Sequence, residues 1–156
     1  MKKAFSILLC VLTLPLALTA CGGKSLDINT VATSIETVCA IQNPAAYTDD
    51  DLVYDMSLDM EKIDSYTGNR SNITGASACT LVIKAKSGEA ENIKTALETY
   101  IEKQTSTLNN YAEFAEALAQ AKEARVVASG DVVILAIAAE GVDYATVDAA
   151  IADATK

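Results

Sequence analysis

The sequence predicts an α+β domain: a small antiparallel sheet of about three strands, covered mainly on one face by helices. Three observations carry that expectation. Residues 28–40 (INTVATSIETVCA) and 89–107 repeat their apolar side chains every three to four positions, the period of an amphipathic helix. Residues 78–86 (ACTLVIKAK) alternate between two faces, the period of a strand. Residues 124–129 (ARVVAS) and 132–139 (VVILAIAA) are two apolar runs joined by Gly130-Asp131, which is hairpin chemistry. Helices collected around a hairpin and one further strand fit an antiparallel sheet with helical cover.

Taken in order, the first helix carries Ile28, Val31, Ala32, Ile35, Val38 and Cys39 on one stripe, and Pro44 stops it. Residues 48–66 (TDDDLVYDMSLDMEKIDSY) read as one or two short helical turns. Thr48 caps the first, with Asp49, Asp50 and Asp51 in its positive first turn; Asp59 caps a second, carrying Met60 and Ile63. Residues 67–77 (TGNRSNITGAS) read as a polar loop. In the strand that follows, Cys79, Leu81, Ile83 and Ala85 point one way and Thr80, Val82, Lys84 and Lys86 the other. After the turn at Ser87-Gly88, Ile93, Ala96, Leu97, Tyr100 and Ile101 form the stripe of a long helix, broken at Asn109-Asn110. Residues 111–123 (YAEFAEALAQAKE) begin another helical piece. The hairpin register places Val126 and Ala128 on the same face as Val133, Leu135 and Ile137, the better core face, and the first strand pairs with this hairpin. Asp143 caps a last helix over 144–155 with Val147, Ala150, Ile151 and Ala154 inward.

The N-terminal stretch reads as a leader. Lys2-Lys3 precede an uncharged run over residues 4–18, and Thr19-Ala20 supplies small residues before Cys21, the order of a secretory signal peptide. A retained transmembrane helix competes with that reading, but it needs roughly 20 apolar residues, and Pro15 interrupts this run. Leu18-Thr19-Ala20-Cys21 resembles the lipobox of bacterial lipoproteins, in which the cysteine thiol takes a diacylglyceryl group and becomes the mature N-terminus. The expected organisation is a lipoprotein signal peptide over 1–20, a lipidated N-terminus and flexible tether over 21–29, and a single domain over 30–156. At about 0.8 kcal/mol per buried methylene, one acyl chain holds marginally and two hold firmly. The expected partner through Cys21 is therefore the outer, extracytoplasmic face of the cell membrane.

The chain has 12 basic and 21 acidic residues and no histidine. Loss of the leader removes Lys2 and Lys3 and leaves a net charge of −11, which disfavours nucleic acid and anionic lipid. Four cysteines reduce to two, because Cys10 falls in the leader and Cys21 is acylated. Cys39 and Cys79 form either a disulfide or, the favoured reading, two buried free thiols. Two cysteines without histidine do not make a zinc site, so no metal or other cofactor is expected.

Three chemistries were weighed against the residues present. Asp49, Asp51 and Asp55 are a candidate cation site, since oxygen ligands suit calcium, yet glycine is absent from residues 45–67 and no calcium-loop pattern is present. Capping and a solvated face explain the same acids. Nucleophilic catalysis lacks a histidine base, and no serine spacing stands out, so no catalytic residue is assigned and no enzyme activity is expected. The second face of the sheet, with Val82, Val127 and Ile134, is a candidate partner surface if it is open; the helix at 111–123 or the segment at 48–66 is the alternative cover.

The order of elements resembles the bacterial lipoproteins defined by domain of unknown function 4358, common in Gram-positive anaerobes. The features that carry the likeness are the lipobox at Cys21, the amphipathic helix, Leu52-Val53-Tyr54 in an acidic segment, Ile83-Lys84-Ala85-Lys86 closing a strand, Tyr111, Ala124-Arg125-Val126-Val127, Gly130 and the Val132–Ile137 strand. An aromatic often follows the hairpin glycine in that family; Val132 and Val133 stand there in this chain. The resemblance implies extracytoplasmic anchoring and no assigned activity. The expected function is a non-enzymatic lipoprotein that binds an envelope protein partner or scaffolds an envelope assembly. The alternatives are a solute- or cation-binding lipoprotein using residues 49–64, or an accessory to envelope polysaccharide acylation.

Overall fold

The computed structural model describes residues 26–156. The stretch read as a leader, and Cys21, lie outside the described residues. The helix α1 (Ile28–Cys39) is followed by strand β1 (Pro44–Ala46), a π-helical turn (Asp51–Asp55), a 3₁₀ turn (Met60–Lys62) and strands β2 (Ile63–Ser71) and β3 (Cys79–Ala85). Then come α2 (Ala90–Leu108), a 3₁₀ turn (Ala112–Phe114), α3 (Ala115–Lys122), the hairpin β4 (Arg125–Ser129) and β5 (Val132–Ile137), and α4 (Tyr144–Ala154).

The class is α+β with an antiparallel sheet, but the sheet has five strands, not three, in the order β1-β2-β3-β5-β4. Of the two extra strands, β1 begins at the proline that stops the first helix, where the sequence predicts no element, and β2 spans the end of the segment read as helical turns and the start of the polar loop. β2 (IDSYTGNRS) carries no clean alternation of apolar and polar residues; only Ile63 and Gly68 along it are buried. Its strand form comes from pairing on both sides, with β1 and with β3. Asp59 does cap the 3₁₀ turn, its side chain accepting from the Glu61 N–H, but Ile63 opens β2 instead of extending that turn. β1 is an edge strand that begins at Pro44, a place where a missing N–H costs no ladder bond. Gly68 shows why β2 fits only one way: at φ +145° its missing side chain leaves room for β3, where a Cβ would stand 2.0 Å from the Thr80 carbonyl oxygen.

Both faces of the sheet are covered, which corrects the expectation of cover mainly on one side. On one face, Leu81, Ile83, Val133, Leu135 and Ile137 pack with Ile93 and Leu97 of α2 and with Leu52, Met56 and Leu58 from the acidic segment. On the other, Val82, Val132, Ile134 and Ala136 pack with Ile28, Val31, Ala32 and Ile35 of α1 and with Val147 and Ile151 of α4. The hairpin register matches the sequence reading, with Val126 opposite Leu135 and Ala128 opposite Val133 on the α2 side.

Helix ends follow local chemistry. Asp27 caps α1 by accepting from the Asn29 N–H at 3.0 Å, and Ala40 closes it in the left-handed region at φ 53°. Asp143 caps α4 by accepting from the Ala145 N–H at 2.9 Å. Arg125 of β4 fastens α4 to the sheet: its Nε donates to Asp148 at 2.7 Å and its guanidinium lies 4.6 Å over the Tyr144 ring. Tyr144 in turn accepts from the Ala138 N–H at 3.1 Å through its hydroxyl oxygen.

Candidate functional site

The acidic segment does not converge on a point. Asp49 accepts a 2.6 Å hydrogen bond from the Tyr66 hydroxyl. Asp51 accepts from the Thr48 N–H at 2.8 Å and the Thr48 hydroxyl at 2.7 Å, and pairs with Arg70 at 3.1 Å. Burial alone would raise the Asp51 carboxyl; the Thr48 hydrogen bonds and the Arg70 charge outweigh it and hold the group below its ordinary range. Asp55 is exposed at the end of the π-helical turn. Among the described residues no group of three or more histidine, cysteine, aspartate or glutamate side chains is placed to hold a metal ion. Asp49, Asp51 and Asp55 thus act as separate anchors for this segment, not as one cation site.

The candidate partner surface is corrected as well. Val82 and Ile134 are fully buried and Val127 is half-buried, because α1 and α4 close over them. The sequence pattern points instead to residues 111–123 or 48–66 as cover. α4 had a recognised inward stripe, and its placement on this face removes the open patch.

Cys39 and Cys79 are free and buried on opposite faces of the sheet. Burial raises both thiols. At Cys39 the neighbouring Thr80 hydroxyl opposes the rise and the Glu36 charge adds to it. Cys79 is pushed up to about 12, its hydrogen bond to Tyr47 only partly offsetting desolvation. Neither is a thiolate near neutral pH, so neither has the charge state that makes a cysteine nucleophilic.

A different place on the molecule gathers polar side chains around an apolar floor. At the end of the sheet where Arg70 opposes Cys79 and Cys79 opposes Ile137, a cleft of about 290 Å³ opens toward α2 and α3. Cys79, Ile137, Ala117 and Ala121, with Tyr100, Ile101, Leu108 and Phe114, supply its apolar lining. Arg70, Ser71, Thr74, Ser77 and Gln104 bring polar atoms to it. Among the described residues no acidic one lines it, and Arg70 is the only charged one. The volume sits near the lower end of the roughly 300–1,000 Å³ common for small-molecule sites.

The connection between β2 and β3 is held against this cleft by identifiable contacts. The Ser77 N–H donates to Gln120 Oε1 at 2.8 Å, and Gln120 Nε2 donates to Glu116 at 3.2 Å, which ties the connection to α3. Gly75, at φ +84°, brings the backbone beside the Phe114 ring. Two tyrosines stand at the sheet side. Burial raises the Tyr47 hydroxyl well above its usual range, and the nearby Cys79 adds to this. Burial likewise pushes Tyr100 to about 12, although Gln104 donates to its hydroxyl oxygen at 2.9 Å.

Sequence reasoning singled out none of Tyr47, Arg70, Gln104 or Phe114 for binding. One signal was present: Arg70 is one of only two arginines in an acidic chain, and it stands in a segment read as a loop. The other, Arg125, is engaged by Asp148 and Tyr144.

No curated protein and no solved structure matches this chain. A family model does: the one described as domain of unknown function (DUF4358) matches residues 39–138, from the last residue of α1 to just past β5, and every residue lining the cleft falls within that span. The chain therefore belongs to the DUF4358 family.

Proposed function

We propose that the protein is an extracytoplasmic lipoprotein, held at the membrane through Cys21, whose domain is a non-enzymatic binding module. One observation carries the reading: the chain enters the domain at one pole and the cleft lies at the other. The last residue of α1, Cys39, accepts from the Ala139 N–H at 2.8 Å, at the same end of the sheet as the cleft. Helical rise puts the first residue of α1 about 17 Å away. There Leu26, Asp27 and Thr30 share a groove with Ala150, Asp153 and Lys156 at the end of α4. Five peptide links separate Cys21 from Leu26, a reach of at most about 18 Å. A lipid at Cys21 therefore attaches at the α1 pole, away from the cleft, and leaves the cleft clear of the attachment point.

Binding without bond-making is supported by the state of the nucleophiles: both thiols are protonated, and the sequence has no histidine to serve as base. Metabolic labelling with palmitate in the producing cell tests the anchor. Label is expected on the wild-type chain and absent from Cys21→Ala. Equal labelling of both, or of neither, would remove the anchor.

A further inference from the structure

We propose that the cleft between the β2–β3 connection and helices α2 and α3 binds a small organic acid, its carboxylate on Arg70 and its apolar body against Tyr100 and Phe114. The inference rests on the binding-module reading above, though not on the anchor.

Arg70 is the reason for naming an acid. Among the described residues its guanidinium makes one hydrogen bond, from Nη2 to Asp51 Oδ1, while its Nε is buried without a partner. A guanidinium carries five N–H donors in a fork that matches a carboxylate. The side chain is 41% exposed, so part of the fork remains open to a ligand. Asp51 is held by Thr48 as well as by Arg70, and so acts as a positioning residue that fixes the fork at the cleft.

The remainder of the lining agrees with the choice. It adds Thr74 and Ser77 and contains no carboxylate, since Asp51, which pairs with Arg70, stands outside it. This is unusual company in a chain with 21 acidic residues against 12 basic ones. Acids close by are engaged or stand outside the lining: Asp51 pairs with Arg70, Glu116 accepts from Gln120, and the charge of Asp55 is felt at Tyr100. The protein as a whole repels anions. A preference for an acid over its neutral amide therefore has to come from a local group and cannot come from net charge.

The test is isothermal titration calorimetry of the full chain in a non-ionic detergent at about 0.15 M salt, where the Debye length is about 8 Å and long-range charge is screened. The probes are 3-phenylpropionate, the neutral 3-phenylpropanamide and the cationic 3-phenylpropylamine. The acid is expected to bind at least tenfold more tightly than the amide, and the amine not at all. Arg70→Gln is expected to abolish the preference for acid, Arg70→Lys to weaken it, and Arg125→Gln to leave it intact, with thermal melting monitored by circular dichroism confirming that each variant is folded. Equal binding of acid and amide, or an unchanged preference in folded Arg70→Gln, overturns the acid assignment while leaving a binding cleft. No binding of any probe overturns the cleft as a small-molecule site, and palmitate labelling then decides the anchor separately.

Discussion

The two faces of the sheet are made by the same central strands and end in different states. Alternate residues of β3 and β5 feed each side: Val82 and Ile134 one way, Leu81 and Leu135 the other. On the first side α1 and α4 lie over the strands and leave Val82, Val132, Ile134 and Ala136 without solvent exposure. On the second side α2 covers the middle of the sheet, but the eight-residue α3 and a pinned loop close its end, and a polar-rimmed cleft remains. Most of the sealing helices lie outside residues 39–138, whereas the cleft lies wholly within them. The comparison teaches that apolar strand surface does not by itself mark a site in this fold. The proposed site is where cover is incomplete and polar residues gather.

The largest expected effect tests the sealed side. Ile134→Asp places an unpaired carboxylate where the present side chain has no exposure, and the variant is expected to lose about 4 kcal/mol or more, or not to fold at all. Urea denaturation followed by circular dichroism measures it. A variant as stable as wild type would mean that the face is open after all. Gly68→Ala comes next. Its methyl group would meet the Thr80 carbonyl oxygen at 2.0 Å, and the backbone sits at φ +145°, so a loss of about 3 kcal/mol is expected from the same titration.

Asp51→Ala is expected to cost about 1–2 kcal/mol, since it removes acceptors for Thr48 and one partner of Arg70. This carboxyl lies below its ordinary 3.8 in the folded chain. Its contribution is therefore complete above that value and is lost as pH falls through the lower, folded one. Wild-type stability is expected to drop more steeply than that of Asp51→Ala as pH falls below about 4. Parallel curves would mean that Asp51 carries no linked stability. Glu89 and Asp148 shift in the same direction but are unchanged in both chains, so the difference between the curves isolates Asp51.

The smallest effect belongs to Thr80→Val on the sealed side. The Thr80 hydroxyl is fully buried and, among the described residues, has no hydrogen-bond partner apart from the Cys39 thiol beside it, so its replacement by a methyl is expected to be neutral or to stabilise by up to about 1 kcal/mol. A loss above 1 kcal/mol would give that hydroxyl a structural role beside Cys39.

Where side-chain period and local chemistry agree, the fold was legible. α1, β3, the hairpin register and the caps at Asp59 and Asp143 were read from residues a few positions apart. β2 was not legible, because Asp64, Ser65, Thr67, Asn69 and Arg70 have no apolar alternation and become a strand only through neighbours on both sides. α4 had a readable inward stripe, but nothing local says which face of a sheet a helix covers. The cleft was the least legible feature. Arg70, Ser77, Gln104 and Phe114 come from four segments that meet only after β2 pairs with β3 and α3 receives the Ser77 backbone through Gln120.

The proposed membrane anchor, central to the proposed function, depends on what is attached to Cys21. Mass spectrometry of the N-terminal peptide, from protein recovered from membranes of the producing cell, measures that directly. A chain that begins at Cys21 and carries the added mass of a diacylglyceryl group is the expected result. A chain that retains residues 1–20, or whose Cys21 carries no lipid, would contradict it.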